Sequence, residues 1–107
     1  MQMNKRPDGL FITNDLVAAT CMRTLMNAGI SVPEDIAIVG FNNDSICKLT
    51  VPTITTINYP GFEMGQVAAL QLLNALMDRS PQRPIETAVV PAELIVRHSS
   101  LKNAQAG

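Results

Sequence analysis

The feature that most constrains the fold is a pair of short, largely apolar runs, 10–13 and 36–41, with a helical pattern between them. Neither run alternates between apolar and polar residues, which is typical of strands buried on both faces of a parallel sheet. Between them, Asn14 stands where a helix N-cap is expected, and Gly29 stands where a left-handed residue ends a helix. This order of strand, helix and strand predicts a right-handed βαβ crossover, and therefore an α/β fold with a mostly parallel sheet and flanking helices.

The remainder of the chain supplies fewer helices than such a sheet needs. The β-branched run 54–58 predicts a third strand, and an apolar stripe without proline predicts a long helix over 62–78. Two further strands are expected at 87–90 and 92–97, and the tail 101–107 is expected to be disordered. A doubly wound sheet has about one helix per strand. The shortage of helices therefore indicates an incomplete domain.

Composition and charge bear on possible partners. The chain has 8 Lys and Arg residues against 9 Asp and Glu residues, a net charge of -1, and only Lys5 and Arg6 are adjacent basic residues. A surface that contacts DNA needs clustered basic side chains, so no contact with DNA is expected within this chain. The apolar runs are far shorter than the roughly 20 residues of a membrane-spanning helix, and a cytoplasmic protein without membrane association is predicted. Cys21 and Cys47 show no metal-ligand spacing. In a cytosolic protein, two buried free thiols are favoured over a disulfide.

Polar side chains follow the predicted strands at the points where the strands end. Asn14, Asn42 and Tyr59 come after the first, second and third strands, and ligands of open α/β sheets bind outside the carboxyl ends of the strands. A carboxamide both donates and accepts hydrogen bonds, which suits a hydroxyl-rich ligand such as a sugar, and Tyr59 adds a flat apolar face with a hydroxyl. The alternatives are structural: Asn14 as a helix cap and Asn42 as a turn residue.

Groups capable of catalysis are present, but they form no recognisable catalytic pattern. Asp15 and Asp44 lie near the same strand ends as a conceivable acid–base pair, yet the helix dipole explains Asp15 and a loop position explains Asp44. His98 is the single histidine, and Ser99 and Ser100 beside it lie in no strained nucleophile turn. Neither a glycine-rich phosphate loop nor a metal-ligand cluster is found. We therefore expect no enzyme, no cofactor and no metal.

Several segments, in order along the chain, resemble motifs of the LacI/GalR family of bacterial transcription regulators. Residues 7–19, PDGLFITNDLVAA, resemble P-D-A-[IL]-F-[AC]-x-N-D-x-x-A. Residues 28–42, AGISVPEDIAIVGFN, resemble A-G-[LI]-x-V-P-[ED]-D-[IV]-x-[VI]-[VI]-G-[FY]-D. Residues 52–57, PTITTI, are similar to P-x-L-T-T-[IV], and residues 91–99, PAELIVRHS, are similar to P-x-x-L-[IV]-x-R-x-S. Together with Met64-Gly65 and the alanines after it, these matches cover nearly all of the chain.

The resemblance implies a type I periplasmic-binding-protein-like fold, in which two α/β subdomains enclose a ligand, together with an N-terminal helix-turn-helix domain. On this basis residues 1–107 form a C-terminal fragment of the effector-binding domain, without the DNA-binding domain and most of the first subdomain. The full-length protein is expected to sense a small effector, such as a sugar or sugar derivative, and to bind operator DNA through a domain absent from this chain. A sugar-binding protein of an ABC transporter, which shares the fold, is the alternative.

The resemblance also implies roles for the three candidate site residues. The family's Asn at the position of Asn14 commonly contacts the effector, and Asn42 stands where the family usually has an Asp that binds effector hydroxyls. A neutral amide would tolerate an anionic effector better than a carboxylate. Tyr59 replaces what is often Gln, so the effector is expected to differ from those of the best-known sugar repressors.

Self-association is the second function that the resemblance implies. The family pairs its second subdomains through the helix that matches 15–28 and the loop that matches 46–50. Small residues and Met allow close, adaptable packing, although the same side chains can also belong to the core. An exposed apolar stripe on the helix 62–78 further favours a dimer or a larger assembly. The residues expected at the dimer interface are Ala18, Ala19, Met22, Met26, Cys47 and Leu49.

Overall fold

The computed structural model describes residues 5–77 and 87–102. The helices and strands, in chain order, are β1 Gly9–Phe11, α1 Asp15–Asn27, β2 Ala37–Val39, α2 Ile46–Leu49, β3 Thr56–Asn58, α3 Gly61–Met77 and β4 Glu93–Ile95. The chain divides into two compact units. The first unit contains the residues up to 58 and those from 93 onward, and the second unit contains residues 59–92.

The sheet of the first unit joins two strand pairs, β1–β2 and β3–β4. β1 and β2 are parallel, with Gly9 opposite Ala37 and Phe11 opposite Val39. Val39 also forms a parallel bridge with Thr55, so the segment that leads into β3 lies beside β2. β4 pairs with β3 in the antiparallel direction. The mostly parallel α/β sheet that the sequence predicts is therefore confirmed.

α1 begins and ends at the residues that the sequence predicts. Asn14 has an extended backbone (φ -147°, ψ 129°), and its side chain accepts hydrogen bonds from the backbone N–H groups of Leu16 and Val17. Gly29, just beyond the helix, has a φ of 86°. This left-handed conformation is one that glycine adopts without a steric cost, and it ends the helix.

One face of α1 packs against the sheet and forms the core of the first unit. Ala18 and Met22, four residues apart, lie on this face, while α2 contributes Cys47. Burying an aliphatic side chain contributes about 1.5–3 kcal/mol, so this cluster supplies the main apolar stabilisation of the unit. The buried apolar residues are Ala18, Met22, Val32, Ile36, Ile38, Cys47 and Ile54.

The second unit is built on α3, which starts one residue earlier than predicted. No residue of this helix is buried, and large apolar side chains such as Phe62, Leu76 and Met77 are mostly exposed. In the described part of the chain, no helix is both long and apolar enough to span a membrane.

Four sequence predictions concern the C-terminal third, of which two need correction and two fall wholly or partly outside the described residues. The predicted strand 87–90 is wrong, because these residues have no regular secondary structure and no described strand runs beside them. The strand predicted at 92–97 is confined to Glu93–Ile95, the part that pairs with β3. Residues 79–84 of the predicted loop and residues 103–107 of the predicted tail lie outside the described residues.

Ser99 connects β2 with the segment that leads into β3. Its side chain is fully buried, and its hydroxyl donates to the carbonyl of Ile38 at 2.6 Å and accepts from the backbone N–H of Thr55 at 2.9 Å. Its own N–H donates to the carbonyl of Thr53, and its carbonyl accepts from the N–H of Ile38. Ser99 therefore bridges β2 and the segment that leads into β3 just before the point where Val39 and Thr55 pair.

We predict that Ser99→Ala lowers the free energy of unfolding by about 2–4 kcal/mol, because it leaves the buried Ile38 carbonyl and Thr55 N–H without their hydroxyl partner. Urea denaturation measures the change. Ser45→Ala is the matched control, since this exposed serine makes no side-chain capping hydrogen bond, and it should change stability by less than about 0.5 kcal/mol. Equal effects of the two substitutions would contradict the role assigned to Ser99.

Candidate functional site

The carboxyl ends of β1 and β2 lie side by side. Because the two strands are parallel and Phe11 is opposite Val39, Asn14 and Asn42 follow their strands by the same number of residues. Both residues are exposed. They therefore lie at one edge of the sheet, as the sequence predicts, and their role in binding stays a prediction.

Asn14 uses only part of its hydrogen-bonding capacity as a helix cap. Its Oδ1 accepts from Leu16 N at 2.9 Å and from Val17 N at 3.2 Å. The other end of the amide, the Nδ2 group, is a donor and plays no part in these two bonds. The capping role is thus established, and it is compatible with donation from Nδ2 to a bound molecule.

The backbone turns sharply at Asn42 and Asn43. Their φ angles are 122° and 52°. Among the described residues other than glycine, these two have a positive φ. Asn tolerates a positive φ better than most residues, but 122° lies beyond the left-handed helical region and costs about 1–3 kcal/mol. Such strain clusters at functional sites. Asn42 is therefore a turn residue that also presents an exposed amide.

Asn43 anchors this turn to β3 and to the C-terminal segment. Its backbone N–H donates to Thr56 Oγ1 at 3.1 Å, and its Nδ2 donates to Asn58 Oδ1 at 3.3 Å. Its Oδ1 accepts from Arg97 Nη2 at 3.1 Å. The edge of the sheet beside Asn42 is thus rich in amide groups and includes one guanidinium.

Asp15 holds the same turn from the opposite side. Only 1% of this residue is exposed, and its Oδ2 accepts from the backbone N–H of Asp44 at 2.7 Å while its Oδ1 accepts from Thr56 Oγ1 at 2.8 Å. The Asp44 carboxylate is exposed and accepts from Ser45 N. Since Asp15 contacts the backbone of Asp44, these two carboxylates form no acid–base pair.

Cys47 lies in the core next to Asp15. Burial, the hydrogen bond to Asp15 and the negative charge of Asp15 raise the pKa of the Cys47 thiol to about 11, although Arg97 and Thr56 act in the opposite direction. The thiol is therefore protonated and unreactive at neutral pH. Cys21 is partly buried, and both cysteines are free, as predicted.

Tyr59 directly follows β3 and belongs to the second unit. Its carbonyl accepts a hydrogen bond from Gly61 N at 2.9 Å, and its ring lies near Gly61, where an added Cβ would be 3.5 Å from a ring carbon. Its role in binding stays a prediction.

A groove of about 520 Å³ lies between α1 and α2. It is lined mainly by apolar side chains, several of which are largely exposed to solvent. Leu49 and Val51 are 75% and 84% exposed, which is a high fraction for large apolar residues. The apolar residues along the groove are Leu16, Ala19, Met22, Met26, Ile46, Leu49 and Val51.

The predicted dimer interface needs a correction at this groove. Ala18 and Cys47 are fully buried and Met22 is 3% exposed, and all three belong to the core. Residues 18 and 22 lie one helical turn apart on the inner face of α1. Met22 also lines the groove, but it has too little exposed surface to contact a partner. Of the six predicted residues, Ala19, Met26 and Leu49 therefore remain available to a partner.

Metal-ligating side chains do not gather in the described residues. In 5–77 and 87–102, no group of three or more His, Cys, Asp or Glu residues is placed to hold a metal. His98 is exposed, and its Nδ1 forms a hydrogen bond with Thr53 Oγ1 at 3.2 Å.

Comparison with known proteins identifies the family. The sequence profile of the periplasmic binding protein-like domain matches residues 1–100. The NTD biosynthesis operon regulator NtdR of Bacillus subtilis is 39% identical over 100 residues, which are 92% of this chain and 30% of NtdR. The lactose operon repressor of Rhizobium radiobacter is 32% identical over 102 residues, which are 95% of this chain and 88% of that sequence. The chain belongs to the periplasmic binding protein-like family, among the LacI/GalR-type regulators.

Solved structures agree with this assignment. The crystal structure of a LacI family transcriptional regulator from Enterococcus faecium with bound ribose superimposes with a TM-score of 0.69 and 36% identity, over 92% of this chain and 37% of that one. The LacI/GalR-type chain thus has the periplasmic-binding-protein-like fold and spans about a third of the length of such relatives. These relatives are regulators of transcription rather than enzymes, and they do not favour the transport alternative.

Several residues that shape the candidate site were not predicted from the sequence. Asp15 was attributed to the helix dipole alone, although it shares a helical face with Ala18 and Met22, which was a detectable sign of burial. Asn43 had a weaker signal, namely a second Asn after the strand. No sequence pattern indicated that Arg97 would reach Asn43.

We predict that Asn42→Gly raises the free energy of unfolding by about 1 kcal/mol, because glycine adopts a φ of 122° without a Cβ clash. Asn42→Ala should lower it by a similar amount, since alanine tolerates a positive φ less well than Asn. Urea denaturation of both variants tests the contrast. A loss of stability in both would show that the Asn side chain, rather than the backbone angle, determines stability at this position.

Proposed function

We propose that this chain is part of the effector-sensing domain of a LacI-type transcription regulator, and that it binds a sugar or sugar derivative at the carboxyl edge of β1 and β2. The observation that carries the proposal is the parallel register of these strands, which brings Asn14 and Asn42 to one edge. Ligands of open α/β sheets bind at such an edge. The ribose complex of the Enterococcus faecium relative supports a sugar as the ligand class.

In this proposal the two amides have complementary functions. Asn14 donates from Nδ2 to a ligand hydroxyl while its Oδ1 caps α1. Asn42 donates from Nδ2 and accepts at Oδ1, which matches two neighbouring hydroxyls of a sugar. For Tyr59, in the second unit, a role in ligand binding is a separate proposal that rests on its flat apolar ring and its hydroxyl. Because the amides are neutral and Arg97 lies beside Asn43, the site accepts an anionic sugar derivative as well as a neutral sugar.

We further propose that the rest of the regulator lies outside this chain. The chain spans 30% of the length of NtdR, and its 8 Lys and Arg residues are scattered along the sequence. Contacts with operator DNA therefore belong to a helix-turn-helix domain elsewhere in the protein, and residues 1–107 form a C-terminal part of the effector-binding domain. Since such a regulator acts on the chromosome, we place it in the cytoplasm.

Dimerisation is the second part of the proposal. Leu16, Met26, Leu49 and Val51 expose large apolar areas along the α1–α2 groove, and Ala19 permits close approach of a second helix. Exposed apolar patches of this kind mark protein interfaces. A second copy of the chain is the proposed occupant, because a two-fold pairing places the same exposed apolar residues of both copies against each other.

The ligand proposal is tested by a thermal-shift screen of the full-length protein against sugars, sugar acids and sugar phosphates, comparing wild type with Asn42→Gly. A ligand present at about 100 times its Kd stabilises the wild type by about 2.7 kcal/mol. Asn42→Gly keeps the turn but removes the amide, so we expect its Kd for the ligand to be at least tenfold higher. At the same ligand concentration the stabilisation should then fall to about 1.4 kcal/mol or less, in a protein that is no less stable without ligand. An undiminished response would exclude Asn42 from the site.

The dimer proposal is tested by sedimentation of Leu49→Arg and Leu101→Arg at several concentrations. Both leucines are more than half exposed, but only Leu49 lines the groove. Burying an unpaired charge in an interface costs about 3 kcal/mol or more, so Leu49→Arg should raise the dimer Kd by about a hundredfold. Leu101→Arg should leave the Kd unchanged. Equal Kd values for the two variants would place the dimer interface elsewhere.

A further inference from the structure

We infer that Asp15 is a positioning residue, whose buried carboxylate fixes the turn at 42–45 in the geometry that the proposed ligand site requires. The inference rests on the proposed function for its biological meaning. Whether Asp15 restrains the turn at 42–45 can be tested without any ligand.

The first support is that one carboxylate connects three separate elements. Asp15 belongs to the first turn of α1, its Oδ2 accepts from the backbone N–H of Asp44 in the turn, and its Oδ1 accepts from the hydroxyl of Thr56 in β3. It also lies within hydrogen-bonding reach of Cys47 in α2. Thr56 in turn accepts from the N–H of Asn43. The two central residues of the turn are therefore connected to Asp15, Asp44 directly and Asn43 through Thr56.

The second support is the close approach of the chain at Gly40. A Cβ added to Gly40 would overlap Oδ1 of Asp15. Unlike Gly29, Gly40 does not have a positive φ, so its backbone conformation does not require glycine. Gly40 is instead required because the carboxylate passes directly over the backbone where β2 ends.

The third support is energetic. A buried carboxylate is costly unless hydrogen bonds satisfy it, and a role in stabilising the helix dipole would not require burial. Hydrogen bonds from neutral donors to a charged oxygen are about twice as strong as those between neutral groups. Such bonds to Asp44 and Thr56 can hold a neighbouring residue, Asn42, at its unfavourable φ of 122°.

The main test is hydrogen exchange in the full-length protein, measured by mass spectrometry on peptides that cover 42–45 and 36–39. In Asp15→Asn one oxygen becomes a donor that faces Asp44 N or the Thr56 hydroxyl. We expect exchange at 42–45 to accelerate about tenfold, with exchange at 36–39 unchanged. Asp35→Asn is the matched control, because the Asp35 carboxylate also accepts from a backbone N–H, that of Ser31. Unchanged exchange at 42–45 in Asp15→Asn would overturn the inference.

The substitution Gly40→Ala tests the contact between Gly40 and Asp15 by changing the glycine instead of the carboxylate. The added methyl group displaces the Asp15 carboxylate, so exchange at 42–45 should accelerate as in Asp15→Asn. The clash with Oδ1 is absent in the double variant Gly40→Ala/Asp15→Ser. In the cycle that it forms with the single variants Gly40→Ala and Asp15→Ser, the effects on exchange at 42–45 should be clearly less than additive. Additive effects would contradict a direct contact. Complete unfolding of both single variants would show a general role in stability and would overturn the positioning role.

Titration of Cys47 provides a second readout, which is taken over the pH range in which circular dichroism shows that both proteins stay folded, because unfolding would also lower this pKa. In a Cys21→Ser background, thiolate absorbance reports Cys47 alone. Asp15→Asn removes the negative charge that raises this pKa, while burial and the opposing effects of Arg97 and Thr56 remain. The pKa should therefore fall from about 11 toward its ordinary value. An unchanged pKa would show that Asp15 does not contact this part of the structure.

Binding of D-ribose, measured by calorimetry, connects the hold on the turn to function. If the wild type binds D-ribose, Asp15→Asn should bind it about tenfold more weakly, and an equal affinity would overturn the positioning role. If the wild type binds no sugar of the thermal-shift screen, the proposed ligand class fails. The exchange and thiol measurements then still decide whether Asp15 holds the turn.

Discussion

The parallel pairing of β1 and β2 is the constraint on which the rest of the site depends. It places the two strand ends at the same edge of the sheet, and with Phe11 opposite Val39 it sets the relative positions of Asn14 and Asn42. An antiparallel pairing would send these residues to opposite edges. The crossover through α1 enforces the parallel direction, because a helix of this length must pack back on the sheet before the second strand begins.

The polar groups at this edge are arranged around a buried negative charge. Asp15 accepts from the turn and from β3, while Arg97 donates to Asn43 on the other side of the turn. The exposed amide of Asn42 thus lies on a backbone that is held by charged groups on two sides. Preorganisation of this kind reduces the entropy lost when a ligand binds. The strained φ of Asn42 is consistent with a turn that is shaped for binding rather than for stability.

The sequence predicted the elements whose signals are local. The cap at Asn14, the helix end at Gly29 and the parallel β1–β2 pair follow from patterns within a few residues. The contacts of Ser99 with Ile38 and Thr55 join residues that are far apart in sequence, and no local pattern encodes them. The strand expected at 87–90 failed because its β propensity finds no pairing partner among the described residues.

The candidate site, like the fold, was predicted only where the sequence signal is local. Strand ends indicated Asn14 and Asn42, since residues that follow adjacent parallel strands meet at one edge. The burial of Ala18 and Cys47, which removes them from the predicted interface, depends on the exact rotation of α1 and α2 against the sheet. A helical pattern identifies an apolar face, but it does not determine where the core ends and the exposed groove begins.

The pairing of β3 with β4 has a consequence for how the chain is assembled. Asn58 and Glu93 are register partners in neighbouring antiparallel strands, so the polypeptide leaves the first unit and re-enters it at a single point. A hairpin turn of a few residues would close this gap as well as the whole intervening segment does. Insertions and deletions within 59–92 can therefore change the second unit without shifting any strand of the sheet that carries Asn14 and Asn42.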